Sequence, residues 1–144
     1  MKKIIIAIDS FKGCLTSAEA GKAAEKGIKS INPFCHTSVI PIADGGEGLL
    51  DVLITATKGK YITLSAHGPL MKMAKTHYGL SGNGRTAIIE MAAISGLPLV
   101  PIEQRNPMLT TTFGTGELIK DALNKGCRNF IIGIGGSATN DAGL

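Results

Sequence analysis

Hydrophobic and polar positions fall in blocks along this chain, and the blocks switch period in a regular order. Ile4 to Ile8 is an unbroken apolar run, four isoleucines and Ala7, the pattern of a parallel strand covered on both faces. It ends at Asp9-Ser10-Phe11-Lys12-Gly13. Thr16 followed by Glu19 has the spacing of a capping box. It opens a helix with Ala20, Ala23, Ala24, Ile28 and Ile31 as its apolar stripe, stopped by Asn32-Pro33. A second strand over 37–43 runs into Asp44-Gly45-Gly46-Glu47-Gly48, and a second helix carries Leu49, Leu50, Leu53, Ile54 and Ala56 up to Gly59.

The rhythm then changes. Residues 60–66 and 74–80 read as two antiparallel strands joined by His67-Gly68-Pro69-Leu70. Residues 86–91 form a further apolar strand, and Gly96 and Pro98 punctuate a short helical turn after it. The polar run Thr110-Thr111-Thr112-Phe113-Gly114-Thr115-Gly116 precedes a helix with Leu118, Ile119, Ala122 and Leu123 on one face, predicted to open at Gly116. Gly126 stands where a C′ glycine belongs. Residues 129–134 are the last strand, and a glycine-rich segment through Ser137, Thr139, Asn140 and Asp141 follows. A loop of that kind leaving a buried strand is normally followed by a covering helix, so the chain reads as a piece of a longer protein. The alternation predicts an α/β fold, a mainly parallel sheet with flanking helices.

Composition narrows the picture. Of the 144 residues, 44% are hydrophobic and 18% charged, which excludes intrinsic disorder. Nineteen are glycine, about 13% against a usual ~7%, with no collagen period. No apolar run nears the ~18 residues of a membrane span. Trp is absent and aromatics make up 4%, which weakens any base-stacking nucleic-acid module. The net charge of +4 is scattered and suits small anionic ligands. Three cysteines without CxxC spacing indicate neither a disulfide framework nor a zinc site. The apolar stretch after Lys2-Lys3 is too short for a signal peptide and lacks a cleavage pattern, so the compartment reads as cytoplasmic.

Candidate chemistry gathers where strands end, the side of a parallel sheet on which ligands collect. Six of the eleven carboxylates, Asp9, Asp44, Glu47, Glu90, Glu117 and Asp141, lie in or beside such places. Each cluster has a plainer reading. Asp44-Gly-Gly-Glu47-Gly is either a turn with an acidic first helical turn or a carboxylate pair for Mg²⁺ or a hydroxyl. Lys12 is either an exposed lysine or a point charge for phosphate or carboxylate. The threonine-glycine run is either a helix cap or an anion site. His36, His67 and His77 share no metal-ligand spacing and read as structural. Gly133-x-Gly135-x-x-Ala138 formally fits a dinucleotide fingerprint, so a NAD(P)-binding dehydrogenase domain stays open. A non-catalytic small-acid binding module does too. The same loop also offers the amides, hydroxyls and carboxylate that phosphoryl transfer requires.

Several blocks in register resemble the bacterial glycerate kinase family. They are Ile8-Asp9-Ser10-Phe11-Lys12-Gly13, Ala43-Asp44-Gly45-Gly46-Glu47-Gly48, Gly68-Pro69-Leu70 and Ile89-Glu90-Met91-Ala92-Ala93. Asn106-Pro107, Thr111-Thr112-Phe113-Gly114-Thr115-Gly116-Glu117 and Gly133-Ile134-Gly135-Gly136-Ser137-Ala138-Thr139-Asn140-Asp141 complete the set. Ala142 stands where the family pattern has glycine, and Cys14 where it more often has serine. The resemblance implies an ATP-dependent enzyme that phosphorylates D-glycerate, at the 2-hydroxyl, with Mg²⁺. It implies a flavodoxin-like first domain, of which 1–59 is the N-terminal part, and the start of a second α/β domain over 60–144. It implies Lys12 and Asp141 as catalytic groups and Asp44 and Glu47 as metal ligands. Asp9, Ser10, Thr112, Thr115, Gly135, Gly136, Ser137, Thr139 and Asn140 are implied as substrate or phosphate contacts. D-glycerate and ATP are the implied partners; homo-oligomerisation is left open, and this piece alone is expected to be inactive.

Overall fold

The computed structural model describes residues 3–143, and the chain divides into two compact units, one ending at Asp44 and one beginning at Gly45. In the first unit β1 (Lys3–Ile8) and β2 (His36–Pro41) pair in parallel, with Ile5 opposite Ser38 and Ile8 opposite Pro41. The connecting helix α1 (Ser17–Ile31) packs on both strands. Its start is the capping box read from the sequence: the Thr16 hydroxyl accepts from Glu19 N, and the Glu19 carboxylate accepts from Thr16 N at 2.9 Å. Gly21 lets the helix lie close on the sheet, since a Cβ there would overlap the Val39 side chain. The other face is not covered by this unit. Ile5 is 59% and Ile40 49% exposed, so within this unit the apolar run is buried on the helix side.

The second unit is a four-stranded sheet in the order β3 (Lys60–His67), β4 (Met73–Leu80), β5 (Thr86–Glu90), β6 (Asn129–Gly133). The pairs β3/β4 and β4/β5 are antiparallel, as expected for the hairpin, and β5/β6 is parallel. The strand β5 alternates between two cores. Ala87 and Ile89 pack with Tyr78, Ile94, Leu118 and Ala122 beneath α3 (Ala92–Ser95) and α4 (Phe113–Asn124), whereas Ile88 packs with Leu50 and Ile54 of α2 (Leu49–Thr57). Burial on both faces explains its near-continuous apolar sequence. Inside the larger core the Tyr78 hydroxyl donates to Asp121 Oδ2 at 2.9 Å.

Two details differ from the sequence reading. The helix α4 begins at Phe113, three residues before Gly116; the Thr111 hydroxyl accepts from Phe113 N at 3.1 Å and so satisfies its first amide. Gly114 falls inside its first turn, where a Cβ would overlap the His67 carbonyl, so close packing requires glycine there. The helix α2, which the sequence reading groups with residues 1–59, packs on β4 and β5 of the second unit. At the other end of α4, Gly126 has φ +90° just beyond the last turn, as a C′ glycine should.

The capping box gives a direct check. Thr16→Ala is expected to lower stability by about 1 kcal/mol in urea unfolding, and Thr16→Ser to leave it nearly unchanged. Equal midpoints for all three proteins would contradict the cap.

Candidate functional site

Two glycine loops meet in the second unit. Gly135 N donates to Gly45 O at 3.1 Å. A Cβ on Gly135 would lie 2.6 Å from Gly46 Cα, and one on Gly133 would sit 2.5 Å from Gly45 O. Real Cβ atoms do not approach backbone so closely, so both positions must be glycine for these backbones to touch. The same region is fixed from below by Glu90, at the carboxyl end of β5. Its Oε2 accepts from Gly48 N and Leu50 N, each at 3.1 Å, and so supplies the cap that the left-handed Gly48 cannot give α2. Burial raises the Glu90 pKa above the usual carboxylate range; these two N–H bonds oppose the rise, and the Asp51 and Glu47 charges add to it.

The loop leaving β6 is stitched to its surroundings. Ala138 N donates to Ser95 O and Leu97 N to Gly136 O, each at 2.9 Å. The Thr110 hydroxyl donates to Ala138 O at 2.7 Å. The hydroxyls of Ser137 and Thr139 share a hydrogen bond of 2.7 Å, and Thr139 N donates to Ser137 Oγ. The amides of Gly135, Ala138 and Thr139 are thus engaged within the protein. Asp141 reaches back to α4. Its Oδ2 accepts from Thr112 N at 2.6 Å and both its oxygens lie 3.1 Å from the Thr112 hydroxyl. Burial works against the Asp141 charge, but the N–H groups of Thr112 and Gly143 and the threonine hydroxyls outweigh it, so its pKa is lowered. Asp141 is therefore the cap of α4 and an ionised carboxylate.

Beside this loop lies a cavity of about 240 Å³ walled by Leu97 and Val100 and bearing Arg105, Asn106, Ser137 and Thr139. Arg105 was not singled out from the sequence. Its signal was weak, an arginine just before Asn106-Pro107 in a charge-poor chain.

Other sequence candidates are placed as follows. Thr115 is 5% exposed and its hydroxyl is 2.9 Å from Ser95 Oγ, so it joins α4 to α3. Glu117 accepts from His67 N at 2.7 Å and lies 3.0 Å from His67 Nδ1, joining α4 to β3. Asn140 is exposed beside Asp141. The glycines of the dinucleotide fingerprint, Gly133 and Gly135, lie against Leu49, Gly45 and Gly46, which gives that reading no support. In the first unit, Asp9 and Ser10 follow β1 and Lys12 is exposed in a turn closed by Cys14 N to Phe11 O at 2.8 Å. Ser17 ties this region together, donating to Ile8 O and accepting from Ile42 N. Asp44 and Glu47 are both exposed. No three His, Cys, Asp or Glu side chains converge as a metal cage among the described residues. Among those residues no helix is long and apolar enough to cross a membrane.

Comparison with known proteins gives one consistent result. The model of the glycerate kinase family matches residues 4–144. The chain is 56% identical over 142 residues to a glycerate kinase of Haemophilus influenzae, covering 99% of this chain and 38% of that protein. It is 52% identical over 141 residues to a glycerate 2-kinase of Escherichia coli, covering 98% and 37%. A crystal structure described as that of a glycerate kinase 2 from Salmonella typhimurium superposes with a TM-score of 0.81 at 49% identity. That match covers 99% of this chain and 39% of the other. The chain thus spans well under half the length of these relatives.

The raised pKa of Glu90 has a sign that can be tested. A carboxylate whose folded pKa lies above its unfolded one favours folding in its protonated form, so its contribution falls as pH rises from ~4.3 through the folded value. Glu90→Gln keeps an acceptor without the buried charge and is expected to match or exceed the parent stability at neutral pH. Glu90→Ala leaves two amides without an acceptor and is expected to lose about 1–3 kcal/mol. Denaturant unfolding of both at neutral pH checks this, and a glutamine variant as weak as the alanine one would contradict it.

Proposed function

The chain belongs to the glycerate kinase family, and from that premise we propose that it works as part of an ATP-dependent kinase acting in the cytoplasm. The γ-phosphoryl group is transferred to a hydroxyl of D-glycerate, the 2-hydroxyl, giving phosphoglycerate. The observation that carries this reading is the polar cluster at the carboxyl ends of the parallel pair β5/β6. There Asp141 is held ionised at the start of α4 beside the hydroxyl pair of Ser137 and Thr139.

In this reading Asp141 orients the attacking hydroxyl and takes its proton on a carboxylate oxygen. A lowered pKa makes it a weak base. That suffices, because phosphoryl transfer passes through a loose transition state that asks more for positioning than for a strong base. Thr112 holds Asp141 in place. The loop from Gly135 and Gly136 to Ser137, Thr139 and Asn140 lies against the phosphates, chiefly through its hydroxyls. Asp9, Ser10 and Lys12 form an anion contact after β1, Lys12 serving phosphate or carboxylate as a point charge. Mg²⁺, when bound, would neutralise charge on the phosphates. Asp44 and Glu47 offer the hard oxygens it takes, with water and phosphate completing the shell in place of a closed protein cage. Thr115 is left out of the ligand set because of its burial.

Asp141→Asn in the intact enzyme tests the central role. Its Oδ1 still accepts from Thr112 N, so α4 keeps a cap. Glycerate-dependent ADP release is expected to fall in kcat by roughly 10²- to 10⁴-fold. A kcat within a few-fold of the parent would remove Asp141 from the chemistry, and ADP release independent of D-glycerate in the parent would overturn the proposed activity.

A further inference from the structure

The cavity beside the β6 loop has a composition that the kinase reading does not by itself assign. Arg105 is the one charged residue on its wall. Its Nε–H donates to Val100 O at 3.2 Å, which fixes one edge of the guanidinium and uses one of its five donors. Among the described residues no carboxylate pairs with it. In the same lining, the Ser137 and Thr139 hydroxyls share a single hydrogen bond and Ser137 Oγ accepts from Thr139 N. One hydroxyl proton of the pair engages the other oxygen, and the second is available to donate outward. The Thr110 hydroxyl, by contrast, is already bonded to Ala138 O. The cavity therefore presents a tethered guanidinium, a hydroxyl donor and the Asn106 amide between the apolar walls of Leu97 and Val100, with no acidic side chain.

We propose that this cavity is an oxyanion subsite in which Arg105 binds a carboxylate or phosphate group through its free guanidinium edge, with Ser137 or Thr139 donating to a second oxygen. A planar fork matches two oxygens of either group, which a lysine cannot do. The identity of the anion rests on the proposed kinase reading, where it is the carboxylate of the acid or a phosphate of the nucleotide. The existence of the subsite does not.

The test is calorimetric titration of D-glycerate, ADP and inorganic phosphate into the intact protein, comparing the parent with Arg105→Gln and Arg105→Lys. The glutamine variant is expected to weaken binding of at least one of the three by about tenfold or more, and the lysine variant to weaken the same ligand by less. Loss confined to D-glycerate assigns the subsite to the acid carboxylate. Loss confined to ADP, or shared by ADP and phosphate, assigns it to the nucleotide. Loss of phosphate binding in a protein that shows no glycerate-dependent ADP release keeps the subsite while the kinase reading falls. Unchanged binding of all three ligands in both variants overturns the proposal. Arg105 is exposed, and the charge-preserving lysine variant decides the matter if the thermal midpoint of the glutamine variant drops.

Discussion

Close approach of two backbones governs the second unit. Gly133 and Gly135 meet Gly45 and Gly46 at distances that a single methyl group would forbid, and the Gly135 amide is bonded across that contact. The loop beyond β6 takes its path from there. That path sets where Ser137 and Thr139 project and brings Asp141 under the first turn of α4. The helix α2 depends on the same neighbourhood, since the Gly45–Gly48 segment leads into it and Glu90 caps it from the end of β5. Packing of the cores above and below β5 holds the sheet together, but the geometry of the polar loops follows from the glycine contact.

Two carboxylates at this end of the sheet have opposite electrostatic settings, and the difference follows from what surrounds each. Glu90 is buried and close to other acids, so its charge is disfavoured despite two amide donors. Asp141 is partly exposed and collects donors from Thr112 and Gly143, so its charge is favoured. The first serves architecture. The second combines capping of α4 with the properties the proposed kinase needs in a group that meets the attacking hydroxyl. Helix capping by residues distant in sequence thus couples the fold of this unit to its candidate chemistry.

The secondary structure was largely legible in the sequence because local signals coincide with it. Thr16 and Glu19 form the expected box, 60–66 and 74–80 pair as a hairpin, and Gly126 ends α4 with positive φ. The start of α4 carries a local signal, the Thr111 hydroxyl that accepts from Phe113 N, but the tie from Thr112 to Asp141, 29 residues away, was not legible, because no local rule finds such a partner. The same reason hid the use of the glycines. A fingerprint spacing in Gly133-x-Gly135-x-x-Ala138 looks like a ligand loop, whereas two of those glycines serve contact with another backbone. Thr115 lies buried against Ser95, and Arg105 shares a cavity with Ser137 and Thr139 only through the fold.

The glycine contact positions the loop beyond β6, and Gly135→Ala in the intact protein probes it most directly. The added methyl would sit against the Gly46 backbone, which has no flexible end to move aside. Unfolding in urea should show a loss of about 1–3 kcal/mol, accompanied by weaker binding of anionic ligands as the loop shifts. A variant with the parent unfolding midpoint and the parent affinities would contradict the claim that this contact positions the site.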